Sequence, residues 1–470
     1  LQNVSQKIDP SRFRITRRLA ALTIPPQVPQ GEVWRYGLGF PMQISPTHAA
    51  IIANIHRKLA PTEDFEVGAD AIVFDDLARL TPDQAVPLTR LERAVNPKTG
   101  QPVDLLKGFP VGGFVPLGAR RADGSPHPHA GTGFGVGMAL AYHPDDGDRS
   151  KPYPGCIRGP QSYMHRELFQ FAFDGQAFRV TDMQVVAVPD LLPGQFLLDA
   201  ALRSGIPDGD DLLSGGTVGQ PEHLMDGSER IGTGVVRWRR SGGHWRPIAF
   251  HPVCVEQSSG ESSLIRDLDG SLLFSCRPGY EVPDKRNVVV WRSRDGGESW
   301  QVTLRITNLR YPSPVTLNQA ADGTPYLICN PWMAAPMAYD GERFADGACR
   351  TTSREMLMLW PLNDERTGLL SPHVASFPRY EFGPAPVWEG ELPRTDHIDP
   401  GQTNKGRDWS VDHPNGMTVR LRDGQWHHLL CHRLLAQAEV QGPIPPTPHS
   451  GLRVEEVVSH GPAHSDWRFE

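Results

Sequence analysis

The residues best equipped for chemistry in this chain are its histidines, and they are unevenly spread. There are 18 of them, and two groups stand out: His127, His129 and His143 followed by Tyr163 and His165, then His413, His427, His428 and His432. Imidazole is the side chain best suited to proton transfer near neutral pH and the commonest metal ligand. No histidine spacing supports a metal site. The six cysteines, Cys156, Cys254, Cys276, Cys329, Cys349 and Cys431, form no CxxC pair, so they read as buried free thiols, and no metal or other cofactor is expected. On a strand through WHHLLCHR, His428 shares a face with His432, and His427 with Cys431 and Arg433. His427 and His428 read as edge or packing residues, and His127, between two prolines, as loop. His129 leads into AGTGFG, where small residues let backbone and ligand approach closely, while His143 and His165 stand at strand ends.

Short, turn-bounded elements must position these side chains. Gly (47) and Pro (45) make up close to a fifth of 470 residues, which forbids long helices. Two stretches read as helical insertions. In residues 46–60, Ser45 can cap, Pro46 takes the first helical position, and Ala49, Ile52, Ile55, His56 and Leu59 follow at helical spacing; residues 193–204 are stopped by Gly205. Residues 1–30 read as an N-terminal arm. Elsewhere strand-like runs alternate with Asp-Gly turns, and SSLIRDLDGSLLFSCR, PVTLNQAADGTPYLICN and GMTVRLRDGQWHHLLCHR align on Asp269, Asp322 and Asp423. These turns, with Asp123, recur at multiples of about fifty residues. A sheet unit of that length repeated around a ring predicts an all-β fold, a single six-bladed β-propeller with seven blades still open; a β-sandwich is the competing fold.

Composition removes several partners. With 47 basic and 54 acidic residues the net charge is −7, and no Lys/Arg block tracks phosphates, so nucleic acid is not expected. No run approaches the ~18 apolar residues of a membrane span, so no membrane partner is expected. The opening LQNVSQKIDP lacks a basic segment followed by an apolar one. It fits a cytoplasmic chain, or a secreted or periplasmic one whose signal peptide was removed.

The octet Ser293-Arg294-Asp295-Gly296-Gly297-Glu298-Ser299-Trp300 has the form S-x-D-x-G-x-x-W. Ser and Asp can bond amides within a turn, glycine supplies positive φ and Trp packs on the sheet, making a hairpin staple. The octet resembles the Asp box, or BNR repeat, of the sialidase (neuraminidase) superfamily. That resemblance implies a structural role for Ser293, Asp295, Gly297 and Trp300 at the outer edge of a propeller. A second likeness to that superfamily lies in GESSLIRDLDGSLLFSCRPG, where Glu261 stands eight residues before Asp269 and Arg277 eight after it. It implies that Glu261 polarises a tyrosine nucleophile and that Arg277 belongs to an arginine trio gripping a substrate carboxylate, which a guanidinium fork matches. Arg354 in REMLMLWPL is the candidate for another of the trio, and Phe13-Arg14-Ile15-Thr16 imitates the family's first arginine sequence. The nucleophilic tyrosine belongs about eight residues before the last blade's turn; counting back from Asp423 gives Asn415, with His413 and Asp412 just beyond, and no tyrosine. Tyr380 in FPRYEFG is the candidate replacement from another loop. The resemblance spans roughly residues 110–435 and places His413 facing the pocket. Because propeller loops converge on one channel mouth, His129 and His413 can share a site with Glu261 and Arg277.

The expectation is therefore a carbohydrate-active enzyme, a glycoside hydrolase cleaving a terminal acidic sugar. Its candidate catalytic residues are Glu261, His413, His129, His143 and Tyr380, and its candidate substrate-binding residues are Arg277, Arg354, Asp412, Tyr163 and His165. Hydrolysis generally needs two proton-handling or nucleophilic groups flanking the bond. Glu261 is one; Asp412, His413 or Tyr380 is the other. Two alternatives stay open: a polysaccharide lyase cleaving uronate polymers by β-elimination with a His or Tyr base, and a non-catalytic carbohydrate-binding propeller. The expected partner is an acidic oligo- or polysaccharide.

Overall fold

The computed structural model describes residues 13–30, 33–57, 66–90, 92–95, 102–142, 164–186, 196–200, 203–219, 230–254, 260–277, 288–306, 314–330, 337–339, 344–346, 354–370, 372–386, 409–436 and 447–469. Their strands form six blades. After β1 (Phe13–Leu22), blade 1 holds β2 (Trp34–Ser45), β3 (His48–Arg57), β4 (Glu66–Phe74) and β5 (Ala85–Arg90). Blade 2 holds β6 (Glu92–Val95), β7 (Pro102–Val115), β8 (Thr132–Tyr142), β9 (Met164–Phe173) and β10 (Phe178–Val186). Blade 3 holds β11 (Phe196–Ala200), β12 (Ile206–Asp208), β13 (Asp211–Gly219), β14 (Arg230–Ser241) and β15 (His244–Cys254). Blade 4 holds β16 (Gly260–Arg266), β17 (Leu272–Arg277), β18 (Val288–Ser293) and β19 (Gln301–Ile306). Blade 5 is built from β20 (Thr316–Gln319), β21 (Pro325–Cys329), β24 (Leu357–Pro361) and β25 (His373–Ser376), with a separate hairpin of β22 (Met337–Tyr339) and β23 (Phe344–Asp346) between. The helix α1 (Pro378–Phe382) leads to blade 6, which joins β26 (Trp409–Arg420), β27 (Trp426–Ala436) and β28 (Gly451–Ser459) to β1.

The apolar residues sort into six buried clusters, one in each seam between neighbouring blades. Blade faces are covered on both sides, so strands such as β2, β20 and β21 are buried along their whole length. The odd residues of β3, Ala49, Ile51, Ala53 and Ile55, face the seam with blade 6, while Ala50 and Ile52 face blade 2. This corrects the helix expected over 46–60. A strand buried on both faces is a continuous apolar run, and such a run mimics helical spacing. Ser45 does cap, but it caps a hairpin: its hydroxyl accepts from Thr47 N (3.3 Å) and His48 N (3.0 Å). Of residues 193–204, where a second helix is expected, Phe196–Ala200 are the strand β11, paired antiparallel with β13, and 193–195 and 201–202 lie outside the described residues. Gly205 serves close approach rather than helix termination. Its amide bonds Gly112 O at 2.8 Å, and a Cβ there would lie 2.9 Å from Leu213 O.

The N-terminal arm is also a strand for part of its length. From Phe13 opposite Ser459 to Leu22 opposite Leu452, β1 completes the blade that the C-terminal strands begin, so the two ends of the chain close the ring. Four Asp-Gly turns share one geometry. Asp123, Asp269, Asp322 and Asp423 each accept an amide two residues on at 2.9–3.0 Å, and the intervening glycines have φ of 77° to 85°. On that hairpin face His464 N bonds Ala321 O of blade 5, and Arg120 N of blade 2 bonds Arg468 O. Blades 5 and 2 are opposite in a ring of six, so the C-terminal segment crosses beneath the axis. Above it, the buried Arg203 guanidinium donates to Leu264 O (2.9 Å) of blade 4 and Gly416 O (3.3 Å) of blade 6.

Candidate functional site

At the end of the ring away from the Asp-Gly turns, blades 4, 5 and 6 bring six charged side chains together. Glu261 opens β16 and Arg277 closes β17; Asp412 and His413 lie near the start of β26, Arg433 near the end of β27, and Arg354 just ahead of β24. Two of these residues are held in the left-handed region, Glu261 at φ 48° and His413 at φ 49°. Each sits at a break in strand register, between Gly260 and Ser262 and between Asp412 and Asn415. A bulge leaves its extra residue unpaired and re-aims the side chain. The left-handed conformation costs a non-glycine residue about 1–3 kcal/mol and persists only where its surroundings dictate it.

The contacts form one connected network. Arg277 Nη1 donates to Glu261 Oε2 at 2.6 Å, and Glu261 Oε1 lies 3.2 Å from His413 Nε2. The other imidazole nitrogen, Nδ1, lies 3.0 Å from Asp412 Oδ1. Asp412 is fully buried and accepts both arms of Arg433, Nε and Nη2, at 2.7 Å, and Arg354 Nη1 at 2.5 Å. Val411 N donates to Arg354 O, and Asn330 Nδ2 to Val411 O and Met356 O, tying blade 5 to the strand that carries the site.

Burial opposes charge on all three titrating groups, and their neighbours override it. Burial disfavours the Glu261 carboxylate, but the Arg277 charge and the His413 bond hold its pKa below the usual carboxylate range. Burial also disfavours an imidazolium at His413, yet Asp412, with Glu261, raises its pKa above that of ordinary histidine. Asp412 stays ionised against its burial because Arg433, His413 and Arg354 surround it. Among the described residues the cluster sets Arg277, Arg354, Arg433 and His413 beside Glu261 and Asp412.

The other candidates are not brought here. Tyr380 is 57% exposed on α1, stacked on Phe377. His129 lies at the hairpin end of blade 2, edge-on to His127 and Trp245, so the mouth does not collect it. His143 and Tyr163 fall outside the described residues, and His165 is placed only as a backbone position in β9, opposite Ala139. Arg14 belongs to the outermost strand of blade 6. His428 is buried between Tyr326 (2.6 Å) and Thr418 (2.9 Å), and burial takes its pKa down to about 3. His427 is held by Glu456 and Asp423. Among the described residues no three His, Cys, Asp or Glu side chains are grouped to hold a metal.

Arg433 went unmarked as a site residue. The signal was present: Asp412 and Arg433 flank the Asp423 turn nearly symmetrically, as Glu261 and Arg277 flank Asp269. The turn from Ser293 to Trp300 joins β18 to β19. Gly297 N donates to Ser293 Oγ (2.8 Å), Ser299 N to Asp295 Oδ1 (3.0 Å) and Trp300 Nε1 to Gly297 O (3.0 Å).

No family model and no curated protein matches the chain. Among solved structures it is similar to a protein of unknown function from Dyadobacter fermentans, at 12% identity over 94% of this chain and 99% of that one, with a TM-score of 0.49. It is also similar to NanB bound to Optactamide, at 9% identity over 93% and 70% of the two chains, TM-score 0.45. A third is the alpha-L-arabinanase of Penicillium chrysogenum, at 9% identity over 77% and 98%, TM-score 0.35.

Proposed function

We propose that the mouth formed by blades 4, 5 and 6 hydrolyses the glycosidic bond of a sugar bearing a carboxylate, with His413 as general acid and Glu261 as general base. The observation that carries this reading is the Glu261–His413 pair itself. The two groups lie 3.2 Å apart, on two strained bulges, with pKa values pushed in opposite directions. Arg277 receives the substrate carboxylate in place of Glu261. His413 gives its Nε2 proton to the leaving oxygen, and Glu261, far closer to His413 than the roughly 6.5–9.5 Å that admits water to the opposite face, takes a proton from a water entering on the side the leaving group vacates. The proton then passes from Glu261 to His413 across their hydrogen bond and resets the site. Losing Arg277 to the substrate raises the basicity of Glu261, because that guanidinium is the strongest influence holding its pKa down. Water is the nucleophile in this reading.

Elimination fits less well. A histidine taking the proton at carbon 5 would have to be neutral, and the neighbours of His413 favour its imidazolium. Mass analysis of products from oligosaccharides ending in sialic or uronic acids tests the reading. Fragments whose masses sum to substrate plus one water support it; an unsaturated uronate product overturns it in favour of elimination. Binding without cleavage across the panel overturns it in favour of a carbohydrate-binding role.

A further inference from the structure

Asp412 is built into the site too tightly to serve a substrate. Its Oδ1 accepts from Arg433 Nε (2.7 Å) and faces His413 Nδ1 (3.0 Å), while its Oδ2 accepts from Arg433 Nη2 (2.7 Å) and Arg354 Nη1 (2.5 Å). A carboxylate offers about four acceptor sites. All are used inside the protein, and the residue is fully buried. The arrangement follows from register, because Asp412 and Arg433 are direct cross-strand partners on β26 and β27.

We propose that Asp412 is a positioning residue that fixes the tautomer of His413, placing the mobile proton of the site on Nε2, and that Arg433 and Arg354 act through Asp412 instead of gripping substrate. This rests on the reading of Glu261 and His413 as an acid–base pair. An ionised carboxylate is acceptor-only, so the Nδ1 it faces must carry a hydrogen, and the proton that comes and goes is the one on the nitrogen facing Glu261. Arg433 Nη2 also stands 3.5 Å from Nδ1; one of its two hydrogens bonds Asp412 Oδ2 at 2.7 Å, and the contact to Nδ1 is longer than the 3.0 Å from Nδ1 to Asp412 Oδ1. Among the described residues the charged groups around the imidazole are Asp412 on its own strand, Glu261 from β16 with Arg277 behind it, Arg433 from β27, and Arg354 from blade 5. A buried carboxylate orienting a histidine in this way also favours the imidazolium that precedes proton donation.

Nitrogen-15 NMR of histidine-labelled full-length protein reads this directly, with the His413 signals identified by their loss in His413→Gln. On raising the pH, Nε2 should lose its proton while Nδ1 keeps one. The opposite tautomer overturns the proposal. Asp412→Asn should move the His413 titration to lower pH by about one unit or more, and the alkaline limb of the kcat/KM profile should follow. A lower rate with an unmoved profile would reduce Asp412 to a structural role and overturn the proposal. If Asp412→Asn does not fold, the wild-type tautomer decides alone. The NMR readout needs no substrate, so an Nδ1–H tautomer in a protein that cleaves no acidic sugar supports the positioning role while sinking the hydrolase reading.

Discussion

Glu261 and His413 are the two residues on which the proposed chemistry turns, and they were visible in the sequence for different reasons. Glu261 showed itself through its spacing with Arg277 about the Asp269 turn, and His413 through the high histidine count together with its place before the Asp423 turn, where the resemblance sets the pocket. Their backbone conformation was not legible, since positive φ at a glutamate or histidine contradicts local preference and is imposed by the surrounding sheet. The partnership of Asp412 with Arg433 crosses between strands, and its trace in the sequence is their near-symmetric placement about the Asp423 turn. Glu261→Gln should abolish turnover while circular dichroism stays native, and Arg277→Lys should lose most of the rate because a point charge does not replace a fork. The ionic network also links stability to pH. Because folding raises the pKa of His413, its contribution is complete below the unfolded value of about 6.5 and is lost as pH rises through the folded value. Melting temperature should therefore fall on the alkaline side. His413→Gln should show a smaller fall; His427, its pKa raised by Glu456 and Asp423, supplies the rest.

Strands and turns set where those residues stand. The Asp-Gly hairpins were read correctly because their geometry is local: an aspartate accepts the amide two residues on, and a glycine takes positive φ. The helix expected over 46–60 failed because local signals were ambiguous where tertiary burial decides. Ser45 carries out the same hydrogen bonding in a hairpin as it would at a helix start, and β3 is apolar on both faces because a blade lies against each. The Ser293 turn belongs to the scaffold at this scale. Ser293→Ala removes buried bonds to Gly297 N and Asp295, so it should cost about 1 kcal/mol in denaturant melts and leave turnover unchanged. A large loss of rate at unchanged stability would show that the turn does more than brace its blade.

At the scale of the whole molecule, stability resides in six seams, and the ring is closed by pairing the first strand with the last. The repeat about the Asp-Gly turns made the ring legible, whereas its closure depends on β1, too far from its partner in sequence for any local signal. The C-terminal segment adds a second fastening, and Trp467 packs into the seam between blades 2 and 3. Trp467→Ala should cost about 3 kcal/mol, read as a lower melting temperature, with the mouth chemistry intact because it lies on the opposite face. The most direct test of the account remains at that mouth. Oligosaccharides ending in a carboxylated sugar, and the same molecules with that carboxylate converted to an amide, should be offered to wild-type protein and to Glu261→Gln, with products weighed by mass spectrometry. The account predicts hydrolysis of the carboxylated series by wild-type protein alone, with the amides turned over far more slowly; equal cleavage of both series, or undiminished cleavage by Glu261→Gln, would contradict it.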